Sequence, residues 1–143
     1  MNILFVNGSP SGKNSITLQT ALYLEKCFPN HTYSHLDAGQ RIRLLQKDFS
    51  PAKEALSKAD AVVFVYPVYT FIATSQIHTF IRLLKETGVD LKGKVASQIT
   101  TSKHFYDITA HNYVKENCFD LGMDYVPGLS ADMDDLLKNK GQL

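Results

Sequence analysis

The segment Gly8-Ser9-Pro10-Ser11-Gly12-Lys13-Asn14-Ser15 packs small residues, hydroxyls, an amide and one cation between an apolar run and a helix-like stretch. Small residues let a backbone bend tightly and aim several N–H groups at one point. Ser9, Ser11 and Ser15 add hydroxyl donors, and Asn14 or Ser15 can cap the helix that follows. The start of a helix, with unpaired N–H groups and the positive end of its dipole, attracts anions. The chemistry this pattern suits is the holding of a phosphate monoester. Two better-known phosphate motifs fit poorly. The Gly-x-Gly-x-x-Gly spacing of a dinucleotide site is missing. A P-loop needs a longer interval than that from Gly8 to Gly12, and a hydroxyl residue where Asn14 follows Lys13. Nor does the run Ala61–Tyr66 end in the aspartate that would hold a magnesium ion.

Two more segments carry polar groups next to aromatics. Pro67-Val68-Tyr69-Thr70-Phe71 follows the strongest apolar run, and Thr100-Thr101-Ser102-Lys103-His104-Phe105-Tyr106 follows a later one. A flat ring needs such a setting, with one apolar wall and hydrogen bonds at its edge. His104 is either a donor to the electron-rich edge of that ring or an ordinary loop histidine. His35, His78 and His111 have no clustered partners in sequence and read as surface or helix residues. Asp132, Asp134 and Asp135 read as a solvated helix start. Cys27 and Cys118 lie far apart without Cys-x-x-Cys spacing, so they give no metal motif and no disulfide framework.

Strand and helix signals alternate along the chain. Asn2–Asn7, Thr32–Leu36, Ala61–Tyr66, Lys94–Thr100 and Asp124–Val126 read as strands. Ser15–Phe28, Ala52–Ala59 after Pro51, Ser75–Thr87, Ile108–Leu121 and Asp132–Lys140 read as helices. Asp37–Gly39 reads as a turn, and Gln40–Gln46 fits either element. Such alternation is the mark of a parallel sheet covered on both faces, whose ligands gather outside the carboxyl ends of the strands. Those ends are Asn7–Asn14, Asp37–Arg41, Pro67–Thr74, Thr101–Tyr106 and Pro127–Asp132.

The chain has 143 residues, a formal net charge of +1 and 44% hydrophobic residues. That is enough apolar sequence for one compact domain with a full core, and the balance gives no basic field for nucleic acid. The longest apolar run is too short to cross a bilayer, and no leader peptide is visible. One cytoplasmic domain over residues 1–143 is expected, with a module of a longer protein as the alternative.

The sequence resembles the NADPH-dependent FMN reductase family of flavodoxin-like proteins, which includes quinone reductases and is related to the iron–sulfur flavoproteins. Gly8-Ser9-Pro10 with Asn14-Ser15 matches the family's phosphate loop. Ala59-Asp60-Ala61-Val62-Val63-Phe64 with Pro67-Val68-Tyr69 matches its central strand and ring loop, and Gln76 with Phe80-Ile81-Arg82 matches the helix beyond. The resemblance implies a doubly wound five-stranded parallel sheet in the order 2-1-3-4-5 with helices on both faces. It implies FMN as cofactor, NADPH or NADH as donor, and a quinone, free flavin or similar small molecule as acceptor. Ser9, Ser11, Lys13, Asn14 and Ser15 would then hold the phosphate. Pro67, Val68, Tyr69, Thr70 and Phe71 would line the isoalloxazine, and Thr101, Ser102 and His104 would close its far edge. Many members are dimers, which makes a homodimer the expectation. The cysteine cluster of the iron–sulfur flavoproteins has no counterpart in Asp37–Ser50. A non-enzymatic flavodoxin-type carrier is the alternative, but the threonine-rich loop and acidic surface of that group are missing.

Overall fold

A computed structural model describes residues 1–9, 16–68, 74–102, 108–126 and 129–132. The elements run β1 (Asn2–Asn7), α1 (Ile16–Cys27), β2 (Thr32–Asp37), α2 (Ala38–Lys47), α3 (Ser50–Lys58) and β3 (Ala61–Val68). They continue with α4 (Ser75–Thr87), β4 (Val95–Ser102), α5 (Ile108–Asp120), β5 (Asp124–Tyr125) and β6 (Leu129–Asp132). All strand pairs are parallel, in the order β2-β1-β3-β4-β5, with β6 also on β4. This is the flavodoxin-like sheet expected.

β1 and β3 are near-continuous apolar runs because both of their faces are covered. Alternate residues go to opposite sides. Leu4, Val6, Val62, Phe64 and Tyr66 join Leu45, Leu56, Phe80, Leu84 and Val114 in one large core under α2 to α5. Phe5, Val65 and Ile99 meet Ala21 of α1 in a much smaller core on the other face. No helix among the described residues is long and apolar enough to cross a membrane.

Four local readings change. The expected turn at Asp37–Gly39 is instead the start of α2: Asp37 caps it, its Oδ1 accepting from Gln40 N at 3.1 Å. Gln40–Gln46 is therefore helical. β3 runs on through Pro67 and Val68, which pair with Thr101 and Ser102 as strand residues. The expected fifth loop, Pro127–Asp132, contains a strand at Leu129–Asp132, one residue out of step with β5. β5 and β6 thus both pair with β4, in registers that differ by one residue. Asp132 ends β6 rather than opening a helix, and the rest of the expected Asp132–Lys140 helix lies outside the described residues.

Candidate functional site

β1 ends at a turn made by its own side chain. Asn7, 3% exposed, accepts from Ser9 N at 3.1 Å through Oδ1, which bends the chain away from the sheet. Gly8 still donates to Val65 O at 2.8 Å, so the β1–β3 ladder extends one residue past the strand. In a parallel ladder alternate residues of β3 face β1, and the next to do so is residue 67. Proline has no N–H to give there. The Gly8 carbonyl accepts instead from Thr74 Oγ1 at 2.8 Å. That same oxygen caps α4 by accepting from Ile77 N at 3.3 Å. One buried threonine therefore joins the end of β1 to the start of α4.

The turn is gripped from two sides. A Cβ on Gly8 would lie 2.2 Å from Cγ1 of the fully buried Ile77. A Cβ on Gly39, in the first turn of α2, would lie 2.0 Å from the Ser9 carbonyl oxygen. At Gly39 a helix approaches the turn at backbone distance and leaves no room for a side chain; at Gly8 the space is taken by the Ile77 side chain of α4. Ser9 is left 1% exposed. At the far side, Thr101 near the end of β4 shares a 2.7 Å hydrogen bond with Thr17 in the first turn of α1, both fully buried. On the opposite face of β4, Thr100 Oγ1 lies 2.6 Å from His111 Nε2 in the first turn of α5.

The structure thus brings Ser9, Pro67, Val68, Thr101 and Ser102 to the carboxyl edge of the three central strands. Pro67 and Val68 are buried strand residues, with Val68 in the main core. Ser11, Lys13, Asn14, Ser15, Tyr69, Thr70, Phe71 and His104 lie outside the described residues. Thr17, Gly39, Thr74, Thr100 and His111 also belong to this edge. Gly39, Thr74 and Thr100 lay in the segments named above but were given no part of their own, Thr17 was not singled out, and His111 was read as an ordinary surface or helix residue. A threonine one residue before Ser75-Gln76-Ile77 is a readable cap signal for Thr74. The other four needed the tertiary fold. His78 and His35 also have partners: His78 stacks on Tyr113 with centroids 4.2 Å apart, and His35 lies 2.9 Å from Glu25. Burial lowers the pKa of His78 and raises that of Tyr113. It pushes the Cys118 thiol up to about 12, leaving it protonated and inert.

The donor set can be tested against a flavin phosphate. At the ends of β1, β3 and β4 the described side chains are those of Asn7, Ser9, Pro67, Val68 and Thr101, none of them a carboxylate; Asp37 ends the neighbouring β2 and Asp132 ends β6. Nothing in that set repels a dianion, and the apolar wall suits a ring, so the residues fit FMN. Among the described residues no His, Cys, Asp or Glu cluster could hold a metal ion.

Comparison with known proteins agrees. Residues 1–134 match the model of the NADPH-dependent FMN reductase family. No curated protein matches the chain. An NADH:FMN oxidoreductase (EMOB) in apo form aligns at TM-score 0.79 and 21% identity, over 96% of this chain and 79% of that one. An NADPH-quinone reductase from P. pentosaceus aligns at TM-score 0.71 and 15% identity, over 92% and 85%. An FMN-dependent NADH-azoreductase from Bacillus anthracis, solved with FMN, aligns at 0.67 and 15%, over 96% and 92%. At these identities the solved structures speak for the fold. The family match covers nearly the whole chain, and the chain belongs to the NADPH-dependent FMN reductases, enzymes that work with FMN and a reduced nicotinamide.

Proposed function

We propose that this enzyme passes electrons from NADH or NADPH, through FMN held at the carboxyl edge of the sheet, to a quinone or a free flavin. The observation that carries the reading is that, among the described residues, the ends of β1, β3 and β4 bring together backbone groups and neutral side chains and no carboxylate. In this reading Ser9, with Ser11, Lys13, Asn14 and Ser15, binds the phosphate. Pro67, Val68, Tyr69, Thr70 and Phe71 form the wall of the ring, and Thr101, Ser102 and His104 close its edge. When bound, FMN supplies the hydride-accepting chemistry. The protein's part is to orient the ring, leave one face open to nicotinamide and acceptor in turn, and keep water from the rest. A homodimer is part of the same reading, and light scattering tests it.

The test is flavin uptake followed by anaerobic titration. The purified protein is expected to take up FMN in preference to FAD or ATP and to be bleached by NADH or NADPH with no partner protein. A flavin that stays oxidised in excess of both donors, yet accepts electrons from a separate reductase, would make the protein a carrier. Tight magnesium–ATP binding without flavin uptake would overturn the reading.

A further inference from the structure

A polar side chain sits in the middle of the main core. Gln98 of β4 is fully buried, as is Tyr66 of β3, whose hydroxyl donates to Gln98 Oε1. Gln98 Nε2 donates to the backbone carbonyl of His111 at 3.0 Å and to Tyr125 Oη at 2.6 Å. Two residues along β4, Thr100 Oγ1 meets His111 Nε2 at 2.6 Å. His111 is therefore held to β4 twice, by its main chain through Gln98 and by its ring through Thr100. An apolar residue at 98 would fill the same space without desolvating an amide, so burial alone does not account for the glutamine. What a saturated polar hub adds is direction: its bonds form in one arrangement of β3, β4, β5 and α5 and fail in a slipped one.

The position of the hub gives that direction a use. Tyr66 immediately precedes Pro67-Val68, and Thr100 immediately precedes Thr101-Ser102, the strand ends assigned above to the ring. We infer that His111 is a positioning residue: through Thr100 and the Gln98 hub it fixes the ring-side end of β4 against α5, and so sets how well the isoalloxazine is held, apart from the phosphate. This rests on the proposed flavin site. It differs from the Thr17–Thr101 link, which ties the same strand end to α1 on the other face.

The test compares Thr100→Val with Thr100→Ser in the full chain. Valine keeps the shape and removes the hydroxyl bonded to His111, and serine restores it. Two readouts are needed. The first is hydrogen exchange in the flavin-free protein, where Thr100→Val is expected to speed exchange about tenfold at Thr101, Ser102 and the first turn of α5, with Thr100→Ser near wild type. The second is affinity for riboflavin beside that for FMN. Thr100→Val is expected to weaken both by a similar factor of about ten, because the ring is common to the two ligands. Unchanged exchange overturns the clamp. Faster exchange with both affinities unchanged, or loss of FMN affinity with riboflavin affinity intact, overturns its role at the ring. Wild-type protein that takes up no flavin would sink the proposed function instead, leaving the exchange measurement to judge the clamp.

Discussion

The two ends of the same central strands are built from different chemistry. At the amino end the links are exposed or only partly buried, and two of the three carry a charged side chain. Asn2 N donates to Asp60 Oδ2 at 2.8 Å, Lys94 Nζ to Ala59 O at 2.5 Å, and Asn2 Nδ2 to Lys58 O at 3.3 Å. At the carboxyl end the polar side chains of Asn7, Ser9, Thr17, Thr74, Thr100 and Thr101 are neutral and nearly all desolvated, none above 8% exposed. Water can replace a lost partner at the first end and cannot reach the second. A broken bond is cheap where solvent stands in for it and expensive where it does not. The molecule has placed its costly polar groups at the end where an open parallel sheet binds ligands.

Substitution at either end should expose this asymmetry. The largest effect is expected from Gly39→Ala, whose new methyl would meet the Ser9 carbonyl, a backbone atom with no rotamer to escape into. A loss of about 3 kcal/mol or more, beyond ordinary overpacking, is expected in urea unfolding. A loss below 1 kcal/mol would mean that α2 stands clear of the turn. Next comes Ser9→Ala with Asn14→Ala, expected to weaken FMN binding by about 2–4 kcal/mol, since bonds to a dianion are stronger than neutral ones. Stability should fall by about 2–3 kcal/mol, from the lost cap at Asn14 and the buried Ser9 hydroxyl, and riboflavin, lacking the phosphate, should bind almost as before. FMN affinity equal to wild type would move the phosphate elsewhere.

Thr74→Val removes both the cap of α4 and the donor to Gly8 O, and about 1–2 kcal/mol of stability should go with them. Its counterpart at the amino end, Asp60→Ala, should cost less than about 1 kcal/mol, because its bond to Asn2 N is exposed. If calorimetry reverses that order, the contrast between the ends fails. The smallest effect concerns His78. Burial depresses its pKa below the ordinary value of 6.5, so the unfolded chain takes up a proton before the folded one does. Stability from this group is therefore present above that ordinary value and is lost as pH falls through the depressed one. His78→Phe should flatten the acid side of the stability–pH curve, and a curve of unchanged shape would show that the imidazole contributes nothing there.

The sequence was most readable where local and tertiary demands agree. Asn2–Asn7 and Ser75–Thr87 were read with their observed bounds, because apolar continuity and helical period leave no alternative there. It misled where tertiary packing overrules a local signal. Gly39 makes Asp37-Ala38-Gly39 look like a turn, yet the glycine is there because Ser9 leaves no room for a side chain, and the segment is helical. Pro67 looks like the end of a strand, yet its missing N–H falls where β1 has already left the ladder, so β3 continues. Candidate site residues were legible as chemical types at strand ends. Their partners Thr17 and His111 were not, because each acts on a residue of another element, and Thr74 was readable as a cap but not as the partner of Gly8. Gln98 within Val95–Ser102 drew no reading from the sequence, because only the fold brings Tyr66, His111 and Tyr125 around it.

The hydroxyl pair Thr17–Thr101 has a kinetic meaning as well. It joins residues 84 positions apart, and Thr74 reaches Gly8 across 66. Closing loops of that length is entropically expensive, and one hydrogen bond is a small return, so neither contact can help to nucleate folding. They form after β1, β3 and β4 have already come into register. Mutations at these threonines should therefore quicken unfolding and leave the rate of folding almost untouched. A chain that has collapsed but not finished would lack the stitched edge at which the flavin is proposed to bind.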